Sequence, residues 1–227
     1  MAELTPAISP EDYFNVPATF EVTSSSAAED KQSNEALAAN GDLFCFAEYD
    51  VKTNYTQDMV YCGGASPNIA TALGTKITAF GNLETPALLT QMTVSFSAGI
   101  QATVSFEGHQ HAVNPHVVST LELASIAGAI PASSGLGVPD LIVAAGDISP
   151  IEGSVAFSCE HIDKVGADGG HFAGQNRTFK CELSVSYEGT VTGTTAGNWV
   201  DIKVTTSKEN TDTPTSSLTA KQYFDIN

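Results

Sequence analysis

The sequence predicts an all-β protein, an antiparallel sandwich or barrel with long hairpins and one short N-terminal helix. Apolar and polar residues alternate with period two over much of the 227-residue chain, and turn residues separate the alternating runs. The clearest run extends from Met92 to Phe106 around Ser97-Ala98-Gly99, and it predicts a hairpin. The number of further runs suits a sandwich or barrel. These strand candidates are residues 17–23, 42–50, 57–63, 75–80, 140–145, 154–160, 177–187, 189–194, 198–206 and 217–224.

The predicted helix lies near the start of the chain. Ser26 and Glu29 have the spacing of a capping box, in which the two side chains satisfy backbone N–H groups of the first turn. The residues that follow, as far as Ala39, are rich in helix formers, and Asn40-Gly41 provides a left-handed stop. We therefore predict a short helix between Ser26 and Ala39.

Two β-rich halves are predicted, residues 1–116 with the helix and residues 139–227. A connecting segment at 117–138 joins them, because apolar residues there are mixed with proline, serine and glycine. Each half contains a cysteine-bearing turn followed by long alternating strands. The two halves could also form one integrated domain.

The four cysteines form two pairs, each flanking a turn-like segment, so that each pair could face across an antiparallel hairpin. Buried free thiols are expected of a protein made in the cytoplasm. Cross-strand disulfides formed after release are the alternative. The pairs are Cys45 and Cys62, around residues 50–54, and Cys159 and Cys181, around residues 166–170.

The charge balance excludes several classes of partner. The chain has 26 acidic and 9 basic residues and a net charge of −17, whereas a grip on phosphates or on an anionic membrane needs clustered Lys and Arg. An acidic surface also repels DNA, which lets DNA slide past without binding. The N-terminus lacks the basic and apolar regions of a signal peptide, and no apolar run approaches the roughly 20 residues of a membrane span. We therefore expect synthesis in a cytoplasm and no membrane partner.

Three of the five histidines fall in one short stretch, at His109, His111 and His116. His109 and His111 alternate at a strand end and so share a face, and a turn at Pro115 can return His116 towards them. A transition metal accepts imidazoles held in this way, so these three residues are candidate metal ligands. The alternative is a set of polar histidines that hydrogen-bond a loop backbone. A second candidate zinc site consists of Cys159, His161 and His171.

The sequence contains no convincing catalytic constellation. Glu107, Glu160 and Asp163 lie near the histidines in sequence, but nothing fixes the separation that glycoside hydrolysis requires. Residues 158–161 place possible nucleophiles beside a histidine, yet adjacent residues of a strand face opposite sides. We therefore expect no enzymatic activity.

Two segments resemble structural proteins of tailed bacteriophages and phage-like particles. They are Ile100 to His116, which reads IQATVSFEGHQHAVNPH, and Gly170 to Asn176, which reads GHFAGQN. The resemblance implies a virion component with no catalytic residues. Tail-tube proteins, among these, are typically β-sandwiches with one helix and long hairpins, assembled in rings with an acidic lumen. A single tube domain is smaller than this chain, which leaves room for a decoration domain.

Together, these features predict a non-enzymatic, self-assembling structural protein of a phage or phage-like particle, most simply a tail tube or major tail component. Its expected partners are further copies of itself in a ring or tube and other virion proteins, with DNA only as passing cargo. A capsid decoration protein and a carbohydrate- or receptor-binding β-module are the alternatives. The candidate assembly residues are those of the predicted hairpin, Val94, Phe96, Val104 and Phe106.

Overall fold

The computed structural model describes residues 20–62, 71–73, 76–77, 87–97, 100–111, 121–123, 142–167, 171–194, 199–209 and 213–224. These residues form eleven strands, so the predicted all-β antiparallel class with long hairpins is confirmed. No helix occurs among them, and hence none of the length and hydropathy needed to cross a membrane. The strands are β1 (Phe20–Leu37), β2 (Leu43–Tyr61), β3 (Thr71–Leu73), β4 (Lys76–Ile77), β5 (Ala87–Ser97), β6 (Ile100–His111), β7 (Leu121–Leu123), β8 (Ile142–Val165), β9 (His171–Thr194), β10 (Trp199–Ser207) and β11 (Thr215–Phe224).

Nine of the strands form one open antiparallel sheet. Its order is β1-β2-β6-β5-β8-β9-β11-β10, with the short β4 also paired to β5, while β3 and β7 form a separate pair. β5 pairs with β8 from Gln91 opposite Ser158 to Ser97 opposite Glu152. β5 precedes the 117–138 segment in sequence and β8 follows it. Their pairing therefore makes one continuous sheet from strands of both predicted halves. The residues at 117–138 other than β7 lie outside the described part of the chain.

The predicted hairpin at Met92 to Phe106 is confirmed as β5 and β6, with Val94 opposite Val104. Its apolar side chains, however, are buried inside the chain's own core. Val94, Phe96, Val104 and Phe106 are all at most 6% exposed, so they hold the subunit together and cannot form the surface that meets a neighbour. The core runs across the sheet from β1 to β11; its other members are Phe20, Tyr55, Met59, Leu89, Met92, Ala102, Val155, Cys159, Phe179, Cys181, Leu183, Val185, Tyr187, Leu218 and Ala220.

The predicted N-terminal helix is wrong where the structure describes it. The segment from Ser26 to Leu37 is extended in β1 and pairs with β2, from Ser26 opposite Thr56 to Leu37 opposite Leu43. Helix propensity is a weak preference of a few tenths of a kcal/mol per residue. A partner strand that satisfies a whole row of backbone groups overrides it.

The glycine predicted to end the helix instead closes the β1–β2 hairpin. Gly41 has φ +87°, a conformation that favours glycine. Its N–H donates to the Ala38 carbonyl at 2.8 Å, and the Ala38 N–H donates to the Asp42 carbonyl at 2.8 Å. These two bonds close a three-residue hairpin loop whose last residue has a positive φ, a position that such loops commonly give to glycine. The sequence signal at Asn40-Gly41 therefore marks a reversal of the chain, but between strands.

The two cysteine pairs have different outcomes. Residues 50–54 lie within the continuous strand β2, so no turn places Cys45 opposite Cys62. Cys45 pairs with Ala36 of β1 instead. Sixteen strand residues lie between the two cysteines and separate their thiols by about 55 Å, far beyond the reach of a disulfide.

The second cysteine pair does lie on a hairpin. β8 ends at Val165, and β9 begins at His171 and pairs antiparallel with it, so the predicted hairpin is confirmed. The register places Cys181 opposite Phe157, two residues before Cys159. Both thiols are free and buried, as the free-thiol interpretation predicts.

Alkylation is expected to distinguish the buried thiols from the exposed ones. Burial raises the pKa of Cys159 to about 11 and that of Cys181 to about 12. At pH 8 fewer than about one in a thousand of either group is thiolate, the reactive form. Iodoacetamide at pH 8 should therefore label exposed Cys45 and Cys62 and spare the buried pair until the chain is denatured. Peptide mass spectrometry checks this, and rapid labelling of Cys181 in the native chain would contradict it.

Tyr187 gives a prediction about core packing. Its ring is fully buried on β9, and within the described residues its hydroxyl has no hydrogen-bond partner. Burial raises its pKa to about 12. Since a buried hydroxyl without a partner costs about 1–3 kcal/mol, Tyr187→Phe should leave the free energy of unfolding unchanged or raise it by about 1 kcal/mol. Denaturant melts test this, and a loss of stability would show that the hydroxyl is paired.

Candidate functional site

A two-stranded ribbon, residues 31–51, extends beyond the sheet. β2 pairs with β6 only from Lys52 to Val60, so β2 residues 43–51 have β1 as their one partner among the described strands. Nine residues of strand reach about 30 Å. The ribbon is therefore a long arm that the rest of the described sheet does not support.

The ribbon carries exposed apolar side chains along its length. Leu37, Leu43, Phe46 and Val51 are 63%, 59%, 50% and 43% exposed. Leu37 lies opposite Leu43 beside the closing turn. An isolated two-stranded hairpin is at best marginally stable in water, and apolar side chains grouped on a surface mark interaction sites. The ribbon thus has the properties of a surface that another protein covers.

Ion pairs at the base of the ribbon do not stabilise it enough to make contact with another protein unnecessary. Lys31 Nζ lies 2.8 Å from Glu48 Oε1 on the facing strand and 3.5 Å from Glu29 Oε1. A hydrogen bond and the negative charge of Glu48 raise the pKa of Lys31. Since these groups are exposed, solvent screens the pairs and they add little to stability.

The opposite edge of the sheet, β10, also presents exposed apolar side chains. Val200 and Val204 lie exposed on β10, and Tyr223 lies exposed on the neighbouring β11. A bulge follows Val200, and beyond it β10 pairs regularly with β11 from Lys203 to Ser207. The other side of β10 has no partner among the strands that the structure describes. Both edges of the sheet therefore combine open backbone groups with apolar side chains.

A buried polar cluster lies between β6 and the far end of the β8–β9 hairpin. His161 and Asp163 alternate on β8 and so share a face, and His109 on β6 completes the group. Asp163 Oδ1 lies 3.0 Å from His161 Nε2 and 3.7 Å from His109 Nε2. The two imidazole centroids are 5.1 Å apart. Strand order brings these residues together, although 52 positions separate the two histidines.

The members of this cluster are strongly shielded from water. The side chains of His161, His109 and Asp163 are 2%, 12% and 13% exposed. His161 Nδ1 lies 2.5 Å from the side-chain oxygen of Asn176, which is directly opposite on β9 and is itself buried. An amide oxygen can only accept, so Nδ1 carries a proton and donates it to Asn176. The other ring nitrogen of His161 faces Asp163. Two imidazoles and a carboxylate so arranged can hold a proton or a metal cation.

The predicted metal ligands are only partly brought together. His109 belongs to the cluster, whereas the side chain of His111 at the end of β6 and the whole of His116 lie outside the described residues. Of the second predicted set, His161 belongs to the cluster and Cys159 does not. The side chain of His171 is also outside the described part.

Asp163 is the one member of the cluster that was not predicted as a metal ligand. The sequence indicated only that its carboxylate lies near the histidines along the chain. The pattern His161-Ile162-Asp163 within an alternating strand places both polar side chains on one face. That spacing is the local signal that identifies this half of the cluster.

A shallow groove of about 330 Å³ lies on the sheet over β8, β9, β10 and β11. Small and charged residues line it, among them Ser154, Glu182, Lys203 and Lys221, with no aromatic side chain. Carbohydrate sites characteristically use an aromatic platform on which a sugar ring stacks. The lining of this groove does not supply one.

No protein-family model matches the chain, and no curated protein matches it.

Proposed function

We propose that the protein is a non-enzymatic structural subunit that assembles with further copies of itself into a ring or tube. The observation that carries the proposal is that the two edges of one open sheet both present exposed apolar residues and open strand edges. The β1–β2 ribbon lies at one edge and β10 at the other. Long open edges of this kind are a liability for a protein that remains a monomer.

Each of these two sheet edges binds another copy of this chain. Because the β1–β2 edge and the β10 edge are different surfaces at opposite ends of one sheet, contact between them is head-to-tail. Head-to-tail contacts repeat, and they close into rings or continue as helical tubes. The net charge of −17 keeps the subunits apart over long range, so the contact depends on strand pairing and on burial of apolar side chains.

The particle that these features favour is a phage or phage-like virion, with this chain as a tail-tube or major tail component. The resemblance of residues 100–116 and 170–176 to phage structural proteins supports this assignment. The excess of carboxylates suits a conduit through which DNA passes without binding. A capsid decoration protein would also be an acidic virion structural protein, but it would not need a repeating contact between the edges of neighbouring sheets.

Light scattering coupled to size exclusion tests the proposal on the native chain. Across a series of protein concentrations, the mass is expected to reach multiples of the 23.6 kDa subunit and to grow with concentration. A mass of 23.6 kDa at every concentration would overturn self-assembly. It would favour the binding-module alternative.

A further inference from the structure

We propose that His109, His161 and Asp163 form a binding site for a divalent transition-metal ion of the zinc class. The ion would be held by two imidazole nitrogens and one carboxylate oxygen, with a remaining position open to water. Borderline ions such as Zn²⁺, Co²⁺ and Ni²⁺ prefer this mixture of nitrogen and oxygen ligands. The role is structural, since the ion would join β6 to the far end of the β8–β9 hairpin.

The spacing of the three ligand atoms suits one ion. With metal–ligand bonds of about 2.1 Å, neighbouring ligand atoms lie about 3.0 Å apart at octahedral angles and about 3.4 Å apart at tetrahedral angles. The Asp163 oxygen lies 3.0 Å from His161 Nε2 and 3.7 Å from His109 Nε2. All three atoms lie within 4.8 Å of one another. Small side-chain movements are enough to close this set around an ion.

The chemistry of His161 is an independent argument for a cation. Its Nδ1 proton is donated to Asn176, so in the neutral imidazole Nε2 carries a lone pair. That lone pair is buried beside the Asp163 carboxylate, and no described residue stands in hydrogen-bonding geometry to Nε2. Two electron-rich atoms 3.0 Å apart repel each other unless a cation lies between them. An ion bound along the Nε2 lone pair, with the carboxylate oxygen as its neighbouring ligand, accounts for a 3.0 Å approach without a hydrogen bond.

Asn176 completes the arrangement as a positioning residue. Metal-bound histidines characteristically donate their second ring N–H to an oxygen, which fixes the tautomer and the ring orientation. The buried Asn176 oxygen does this for His161 from the facing position on β9. The site would therefore contain an orienting group as well as its ligands.

The location explains what an ion would add to the fold. β8 pairs with β5 only as far as Ser158, and a bulge interrupts its pairing with β9 just beyond. The hairpin past this point lacks the pairing that β5 gives to residues 152–158 of β8. An ion shared with His109 would fix it against β6.

Titration of the chelator-treated, full-length chain with Zn²⁺ and Co²⁺ tests the site. Calorimetry should show saturable binding of zinc with a rise in melting temperature, and cobalt should give visible d–d bands typical of mixed nitrogen and oxygen ligation. His161→Ala and Asp163→Asn should abolish binding. Asn176→Ala should weaken it by about 10–100-fold. Asp201→Asn, which removes an exposed carboxylate on β10, is the control and should bind as the native chain does.

Three results would overturn the proposal. One is a native chain that binds neither ion at neutral pH. Another is zinc binding that survives in both ligand variants, judged after circular dichroism confirms that they are folded. The third is a cobalt spectrum of the native chain without histidine ligation, a measurement that needs no variant to fold.

Discussion

Replacing Leu43 and Phe46 together with lysine is expected to abolish self-assembly while the subunit stays folded. Both side chains lie on β2 and are largely exposed in the single chain, so their loss removes nothing from the core. Burial of each in a subunit contact contributes about 2 kcal/mol, so losing both weakens each contact by about a thousandfold. Light scattering should then report a 23.6 kDa monomer where the native chain assembles.

Ile100→Lys is the matched control for the ribbon variant. Ile100 is 68% exposed and apolar, but it lies at the β5–β6 turn, away from the ribbon and from β10. This variant should assemble as the native chain does. Assembly of the Leu43 and Phe46 double variant at native concentrations would show that the ribbon is not the contact surface.

Gly153→Ala is expected to destabilise the subunit by about 3 kcal/mol, the upper part of the range for overpacking a core. An added Cβ would lie 2.6 Å from Phe96 Cζ and 2.7 Å from the backbone oxygen of Ser184. The ring of Phe96 is buried in the core and the Ser184 oxygen belongs to β9, so neither can withdraw at low cost. For a chain of this size, the loss lowers the melting temperature by roughly 6–12 °C.

Ser154→Ala at the next position of β8 is the comparison for this effect. Ser154 faces the other side of the sheet, and its loss should change the free energy of unfolding by less than about 0.5 kcal/mol. Calorimetric melts of both variants under the same conditions provide the measurement. Equal melting temperatures for Gly153→Ala and the native chain would show that Phe96 of β5 and the Ser184 backbone of β9 do not approach Gly153 as closely as the structure has them.

The all-β class could be predicted because alternation along single strands is a local property. Met92 to Phe96 and Ile100 to Phe106 each alternate, and they pair with each other as the predicted hairpin. Strand lengths were not predictable in the same way. The segments predicted at 42–50 and 57–63 belong to one strand, because the residues between them continue the pairing with β1 and, from Lys52 onward, also pair with β6. Turn-type residues therefore divide the sequence more often than they divide the structure.

The assembly residues and the polar cluster show where local patterns stop being informative. Val94 and Val104 lie on the most apolar hairpin, but apolar alternation does not distinguish a core face from a subunit interface, and here it marks the core. His109 was identified from the clustering of histidines. Its contacts with His161 and Asp163 depend on strand order and on the course of the β8–β9 hairpin, which no pattern within either segment encodes.

Negative-stain electron microscopy of the purified native chain tests the central claim most directly. Head-to-tail contact between the β1–β2 edge and the β10 edge predicts closed rings of uniform diameter, or tubes built from stacked rings. Rings or tubes should disappear in the Leu43 and Phe46 double variant and persist with Ile100→Lys. A field of isolated subunits, or of two-fold dimers alone, at concentrations where light scattering would detect assembly would contradict a structural role built on these two edges.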